Sequence, residues 1–329
     1  MKNTLAIVLI TYNRAEHLER TLRAILAPDS PVRDCDVTVL NNKSTDETAA
    51  VVDRFAAAHA NVRQVVHNFN VGGNANIAKA LERCATPYHW ILCDDDVYDW
   101  EGWDAVAAAM ARGEKLLCVG DRHLPKAEPA RSDPAQLLQQ MTFLPSIVYG
   151  PGVVTDVALR NAYDNTYALF PHLAPVILHL NAGGKIWVAP RPLVRPGEFG
   201  TDISYTRGYR RDDIFPDSRT MTLSAGFAHI LDGLSDRRLA KAAFRALTFG
   251  SQMGRLGFYG EVFARLRGRA GAANFAAILR QSSWGTRLVL RVLRLVQSTP
   301  LYDLLMSESF YRAVRRVTDA RNAKARAKL

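Results

Sequence analysis

"TLAIVLITYNRAEHLERTLRAIL" (residues 4–26) passes from an uninterrupted apolar run into a segment whose leucines recur at helical spacing. The run from Thr4 to Ile10 has strand length, and Leu18, Leu22, Ile25 and Leu26 share one helical face. The spacing predicts a strand followed by a helix, with Asn13 as the capping residue and Glu16 three positions on.

The same alternation repeats. "DVTVL" (36–40) reads as a second strand, and Ser44 to Glu47 has capping-box spacing ahead of a helix through about Ala58. "NVRQVV" (61–66) reads as a third strand; after Gly72-Gly73, the positions of Ile77, Leu81 and Cys84 suit a helix. "YHWILC" (88–93) is the fourth strand. The pattern predicts an α/β fold with a mostly parallel central sheet covered by helices, and its site at the carboxyl ends of the strands. Four chemically rich loops fall there: "TYNR", "NNKSTDET", "HNFNVGGN" and "DDD". Asp94, Asp95 and Asp96 stand side by side, each raising the cost of ionising the next, so a positive group is expected among them.

Composition restricts the alternatives. The chain has 329 residues, 48% hydrophobic and 22% charged, which excludes a disordered or low-complexity protein. No apolar run reaches bilayer-spanning length, and "MKNTLAIVLITYNR" has too short an apolar run for a secretory signal, so a cytoplasmic location is expected. Cys35, Cys84, Cys93 and Cys118 lie far apart in mostly apolar contexts without metal-ligand spacing and read as buried reduced thiols. The net charge of +10 is unevenly spread: residues 1–229 hold 23 Lys and Arg against 26 Asp and Glu, residues 230–329 hold 19 against 6. That asymmetry points to a near-neutral chemical domain and a basic module facing an anionic partner, a membrane or a nucleic acid.

The ordered set "VLITYNR", "VLNNKSTDET", "NVGGNANIAKAL" and "ILCDDD" resembles the nucleotide-binding half of family 2 glycosyltransferases, inverting enzymes with a GT-A-type fold. The resemblance covers about residues 4–100 and extends more weakly to about 196. It implies a nucleotide-sugar donor (a UDP-, dTDP- or GDP-sugar) and a divalent cation, Mn²⁺ or Mg²⁺, neutralising the leaving diphosphate. Asp94 and Asp96 match the outer acids of the family's DxD: Asp96 is expected on the metal, Asp94 at the nucleotide ribose or the metal shell, and Asp95 against the sugar. Thr11, Tyr12 and Arg14 occupy the loop that lies along nucleobase and ribose in the family. Where the family more often has Asp, this chain has Asn41 and Asn42, whose amides each offer a donor and an acceptor to a base edge. Asn70, Gly72 and Gly73 are expected at a tight turn close to the nucleotide. Ser44, Thr45 and Asp46 read as capping and loop structure.

In "FPHLAPVILHLNAGGKIWVAP" (170–190), Pro171-His172 replaces the acidic pair with which the family starts its acceptor-side helix. His172 thus stands where the basic Asp would be and is the candidate general base, with Asp164 in reserve. The family's later metal-binding His is missing from "PLVRPGEFGTD" (192–202). Beyond the resemblance, "TRLVLRVLRLV" (286–296) puts Arg287, Arg291 and Arg294 on one stripe of an apolar helix, and "YRAVRRVTDARNAKARAKL" (311–329) adds a basic helix or tail. Contact with an anionic membrane surface is the expectation, against packing into a helical domain. Nucleic acid is not expected, since no recognisable module and no interleaved aromatics accompany the charge.

These readings give a GT-A-type domain over 1–210, divided into a nucleotide-sugar half (1–121) and an acceptor half (122–210), and a helical basic region over 211–329. The expected activity is metal-dependent inverting transfer to a glycan or lipid-linked glycan acceptor in surface polysaccharide assembly, at the cytoplasmic face of the inner membrane. A nucleotidyltransferase and a non-catalytic nucleotide- or glycan-binding scaffold are the alternatives.

Overall fold

A computed structural model describes residues 3–83, 86–120, 133–197, 222–249, 254–266 and 271–305. Strand β1 (Leu5–Thr11) leads into helix α1 (Ala15–Ile25), β2 (Asp36–Asn41) into α2 (Thr48–Ala58), and β3 (Val62–Val66) into α3 (Gly73–Leu81). Next come β4 (Tyr88–Cys93), β5 (Asp96–Tyr98), α4 (Trp103–Ala111), β6 (Leu116–Cys118), α5 (Pro134–Gln140) and β7 (Ile147–Tyr149). After them run α6 (Asp156–Asp164), α7 (Leu173–Asn181), β8 (Trp187–Val188) and β9 (Val194–Pro196). Six further helices follow among the described residues: α8 (Leu223–Leu231), α9 (Arg237–Phe249), α10 (Gly254–Arg265), α11 (Ala272–Gln281), α12 (Trp284–Gln297) and α13 (Pro300–Leu305).

Seven strands form the central sheet in the order β3-β2-β1-β4-β7-β6-β8, while β5 and β9 pair separately. The block β3-β2-β1-β4 is wholly parallel, as the alternation predicts, and β7 enters antiparallel between β4 and β6. The side chains of β1 alternate between two cores. Leu5, Ile7 and Leu9 pack with α1, α2 and α4 on one face; Val8 joins Ala78, Leu81 and the later helices on the other. Each fully buried Leu or Ile contributes roughly 1.5–3 kcal/mol, and a one-residue slip would send every one of them to the wrong face. The second core continues without a break through Phe227 of α8, Phe244 of α9, Phe258 of α10, Ile278 of α11 and Leu290 of α12.

Leu18, Leu22, Ile25 and Leu26 are buried as their spacing predicts. The capping differs. Arg14, not Asn13, is the N-cap of α1, and Glu47 is that of α2, neither with a side-chain cap. Asn13 sits at φ 52° and accepts from Thr45 N at 2.7 Å, and Ser44 Oγ accepts from Asn13 N at 2.9 Å. Both capping candidates join the loop after β1 to the loop after β2, a use of the same acceptor atoms that local spacing does not reveal. Cys35 and Cys118 are buried, Cys93 is half-buried, and none of the three is in a disulfide. Cys84, residues 198–202 of the "PLVRPGEFGTD" segment and the basic stretch 311–329 lie outside the described residues.

Candidate active site

The parallel register brings the loop residues together. Thr11 lies beside Asn41, Asn41 beside Val66, and Ile10 beside Cys93, so the loops after β1, β2, β3 and β4 open on one edge of the sheet. Between β1 and β4 the strand order reverses, and in open α/β sheets ligands bind in the crevice at that point. Asp94 stands there, nearly buried at 4% exposure. Its Oδ2 accepts from Thr11 Oγ1 at 2.7 Å, its Oδ1 lies 3.2 Å from Arg14 Nε, and its backbone carbonyl accepts from Thr21 Oγ1 at 3.0 Å. Arg14 Nη2 donates to Asp95 Oδ2 at 2.8 Å. The positive group expected among the three acids is therefore Arg14, one guanidinium serving two carboxylates.

Arg14 does not fully offset the burial. Desolvation pushes the Asp94 carboxyl up to about 7, against the pull of Arg14 and the Thr11 hydroxyl and with the push of Asp95. Asp96 is raised well above the usual carboxylate range by burial, then by Asp95 and Asp94. Its Oδ2 is buried and has no hydrogen-bond partner among the described residues. One carboxylate oxygen each from Asp95 and Asp96 lies within 4.8 Å of the other and of Cys93 Sγ. An orphaned carboxylate oxygen facing a second carboxylate fits a hard divalent cation; the Cys93 thiol, pushed far up by burial and by the three Asp, is a poor ligand for one. The structure thus pairs Asp95 with Asp96, where Asp94 with Asp96 was expected. Asp94 is held by Thr11 and Arg14 on the β1 side.

The two asparagines serve the loops. Asn42 Nδ2 donates to Asn70 Oδ1 at 2.8 Å and Asn42 Oδ1 accepts from Val71 N at 2.9 Å, locking the β2 loop to the β3 loop. Asn41 Oδ1 accepts from Ser44 N at 2.8 Å. Both are about 1% exposed, so neither presents its amide to a base edge in this conformation. Asn70 Oδ1 also accepts from Gly72 N at 2.9 Å, and Gly72, at φ 87°, makes the tight turn into Gly73 and α3 that the glycine pair implies. Tyr12 is half-buried beside this group of loops. Asp46, read as a loop residue, bridges the first turns of two helices: Oδ2 accepts from Ala15 N at 3.2 Å and Oδ1 from Thr48 Oγ1 at 2.5 Å. Thr21 carries no sequence signal for its role and Asp46 none for its bond to Ala15, since those partners are 73 and 31 residues away; the bond to Thr48, two residues on, is the capping its position suggests.

His172 is in a different setting from the one its position suggests. Its ring is 2% exposed, its Nε2 is 3.0 Å from the Met141 carbonyl, and Phe170 packs edge-on at 6.0 Å. Burial pushes its pKa down to about 4, with backbone hydrogen bonds at Met141 and Thr142 pulling the other way. An enclosed imidazole held this way offers no path to an acceptor hydroxyl in this conformation. Asp164, by contrast, is exposed at the carboxyl end of α6. Two bonds set α6 against α3: Tyr163 Oη donates to Glu82 Oε1 at 2.6 Å, and Asn74 Nδ2 to the Thr166 carbonyl at 2.7 Å. The second of these bonds lies at the α3 terminus that carries the glycine turn.

Residues 6–166 match the family described as "Glycosyl transferase family 2". Over that span, just under half of the chain, the protein is similar to this family, and it is a glycosyltransferase. Solved structures of similar fold include residues 1–349 of TarS from S. aureus in complex with UDP, at 16% identity and TM-score 0.63, covering 94% of this chain and 91% of that one. The same TarS fragment in complex with UDP-GlcNAc superposes with TM-score 0.54 at 15% identity, covering 94% and 92%. The mannosyltransferase PcManGT from Pyrobaculum calidifontis, in complex with GDP-Man and Mn2+, gives TM-score 0.51 at 16% identity, covering 97% and 88%. At these identities the likeness is one of fold. No curated protein matched the chain.

Proposed function

We propose that the protein transfers one sugar, with inversion, from a nucleotide-diphosphate sugar to a hydroxyl of a glycan or lipid-linked glycan, in the assembly of a surface polysaccharide at the cytoplasmic face of the membrane. The observation that carries the transfer reaction is the buried, unpartnered Oδ2 of Asp96 beside Asp95, at the carboxyl end of β4 within the family 2 region. Asp95 and Asp96 would hold Mn²⁺ or Mg²⁺, and the bound cation neutralises charge on the departing diphosphate. Nucleotide sugars and Mn2+ in the similar structures support this reading.

The chain's own groups prepare the site. Arg14 holds Asp94 and Asp95 in fixed orientations, Thr11 fixes Asp94 from β1, and the Asn42–Asn70 pair keeps the β2 and β3 loops together where the nucleotide would lie. For removal of the acceptor proton we favour Asp164 over His172, because one is exposed and the other enclosed.

Purified protein with Mn²⁺ and a panel of UDP-, GDP- and dTDP-sugars tests the reading. Release of the nucleoside diphosphate from one donor supports it; release of pyrophosphate from a sugar phosphate and a nucleoside triphosphate would make the protein a nucleotidyltransferase. Binding without turnover of any donor would make it a scaffold. Asp164→Asn should lower transfer by roughly 10²–10⁴-fold while leaving donor binding intact. Near-normal transfer by that variant would remove Asp164 from the mechanism.

A further inference from the structure

Helix α12 is built inside out. Thr286 and Gln297 are buried and Arg287 and Arg294 half-buried, with Leu290 in the core and Leu293 packed against it. Polar bonds hold this side: Gln297 Nε2 donates to the Val262 and Phe263 carbonyls at 3.1 and 2.6 Å, and Arg287 Nε to the Leu279 carbonyl at 2.8 Å. Arg294 donates to the Leu266 carbonyl and lies 5.2 Å from the centre of the Phe275 ring. Two of the three arginines expected to face a membrane are therefore tied to the protein's own backbone.

The outward side is apolar. Trp284 is 80% exposed, Leu288 53%, Val292 51% and Leu295 68%, at spacings of four, four and three residues that place them in one stripe, with Val289 beside it at 41%. A single exposed leucine needs no explanation, but a contiguous stripe of large apolar side chains on one helix marks a surface that something covers.

We infer that this stripe docks on an anionic lipid bilayer, with α12 lying in the plane of the interface; the inference deepens the membrane part of the function proposed above. Charge selects the occupant. The helix has three arginines and no acid, and the exposed Arg291 follows Leu288 by three and precedes Leu295 by four, so it stands at the edge of the stripe. Residues 306–329 add seven Lys and Arg against two acids in sequence. Two copies meeting stripe to stripe would bring these cations together with no carboxylate on α12 to pair them. A layer of acidic headgroups over hydrocarbon supplies both the apolar phase and the counter-charge, and a tryptophan at the helix end suits that boundary. No helix among the described residues is long and apolar enough to cross a membrane, so the contact is one of lying on the surface.

Flotation of the full chain with vesicles of phosphatidylcholine alone, or mixed with phosphatidylglycerol, tests the inference. Wild type should float with the mixed vesicles, less as salt rises, and little with the neutral ones. The double variant Leu288→Asn/Leu295→Asn should lose about tenfold or more of that partition at low salt, since two leucines no longer enter the apolar phase. Its melting temperature and its donor turnover in solution should match wild type, because both side chains are exposed and lie outside the loops that carry the acids. Arg291→Gln should keep the apolar contact and lose part of the preference for phosphatidylglycerol. Wild type that stays with neither vesicle, or a double variant that floats as well as wild type, overturns the inference. So does a wild-type dimer in light scattering that the double variant makes monomeric, which would assign the stripe to a protein seam. Donor turnover measured on the same preparations judges the catalytic proposal separately.

Discussion

Thr11 Oγ1 donates to Asp94 Oδ2 at 2.7 Å, joining β1 to β4 at the point where the strand order reverses. The two residues are 83 positions apart and both nearly buried, so the bond closes the floor of the crevice against the core. Thr11→Val keeps the shape and removes the donor. It should destabilise the protein by about 1–3 kcal/mol, the cost of leaving a buried acceptor unsatisfied. Urea unfolding checks this: the midpoint should fall at unchanged slope, and Thr11→Ser should restore most of it.

Arg14 serves Asp94 and Asp95 through separate nitrogens of one planar fork. Lysine brings one charge and no fork, so Arg14→Lys should leave at least one carboxylate misoriented and lower nucleoside diphosphate release by about tenfold or more. Arg14→Ala should cost about 1–3 kcal/mol of stability, less than a fully buried pair because Asp95 retains solvent contact. A lysine variant with wild-type turnover would show that charge alone suffices.

Asp96→Asn removes the charge of a buried carboxylate whose Oδ2 has no hydrogen-bond partner among the described residues, so the fold should hold or gain slightly in melting temperature. Turnover should fall on the order of 10²-fold or more, as expected when charge stabilisation of a leaving group is lost. A direct binding readout is available as well. Mn²⁺ should raise the melting temperature of wild type and not of Asp96→Asn. Equal metal-induced shifts in both proteins would move the cation elsewhere.

His89 and His172 are both enclosed, and burial pushes each from 6.5 to about 4. Tyr149 packs against the first and Phe170 against the second. Below about 6.5 these two side chains bind protons in the unfolded chain and not in the native state, so their contribution to stability falls with falling pH between about 6.5 and 4 and levels off beneath. The full loss is on the order of 3 kcal/mol per histidine. The raised carboxyls of Asp94 and Asp96 act in the opposite sense over the same range, so the histidine contribution is read as a difference between proteins: on going from pH 7 to 4 in thermal melts, His89→Leu should lose less stability, or gain more, than wild type. An identical pH dependence in the two proteins would remove His89 from the pH response.

The four loops, the alternation that brings them to one edge and the glycine turn were legible along the chain because each rests on a local period or a local backbone requirement. An apolar run the length of a strand cannot face water on either side, and leucines every three or four residues fix the buried face of a helix whatever it packs on. The triplet of aspartates likewise announced a nearby cation before any partner was known.

Tertiary structure decided the rest. β6, β7 and β8 are two or three residues long, too short for any period, and only their neighbours make them strands. That Arg14 is the cation, that the Asn42 amide is used by Asn70 and Val71, and that the His172 ring is closed in against Met141 all follow from contacts across 28 to 81 residues of sequence. The sharpest case is α12. Its sequence determines that one side is rich in arginine and the other apolar, but a helical period carries no statement of which side has company. The carbonyls of Leu266 and Leu279 draw Arg294 and Arg287 inward, and with them Trp284, Leu288 and Leu295 turn to the outside.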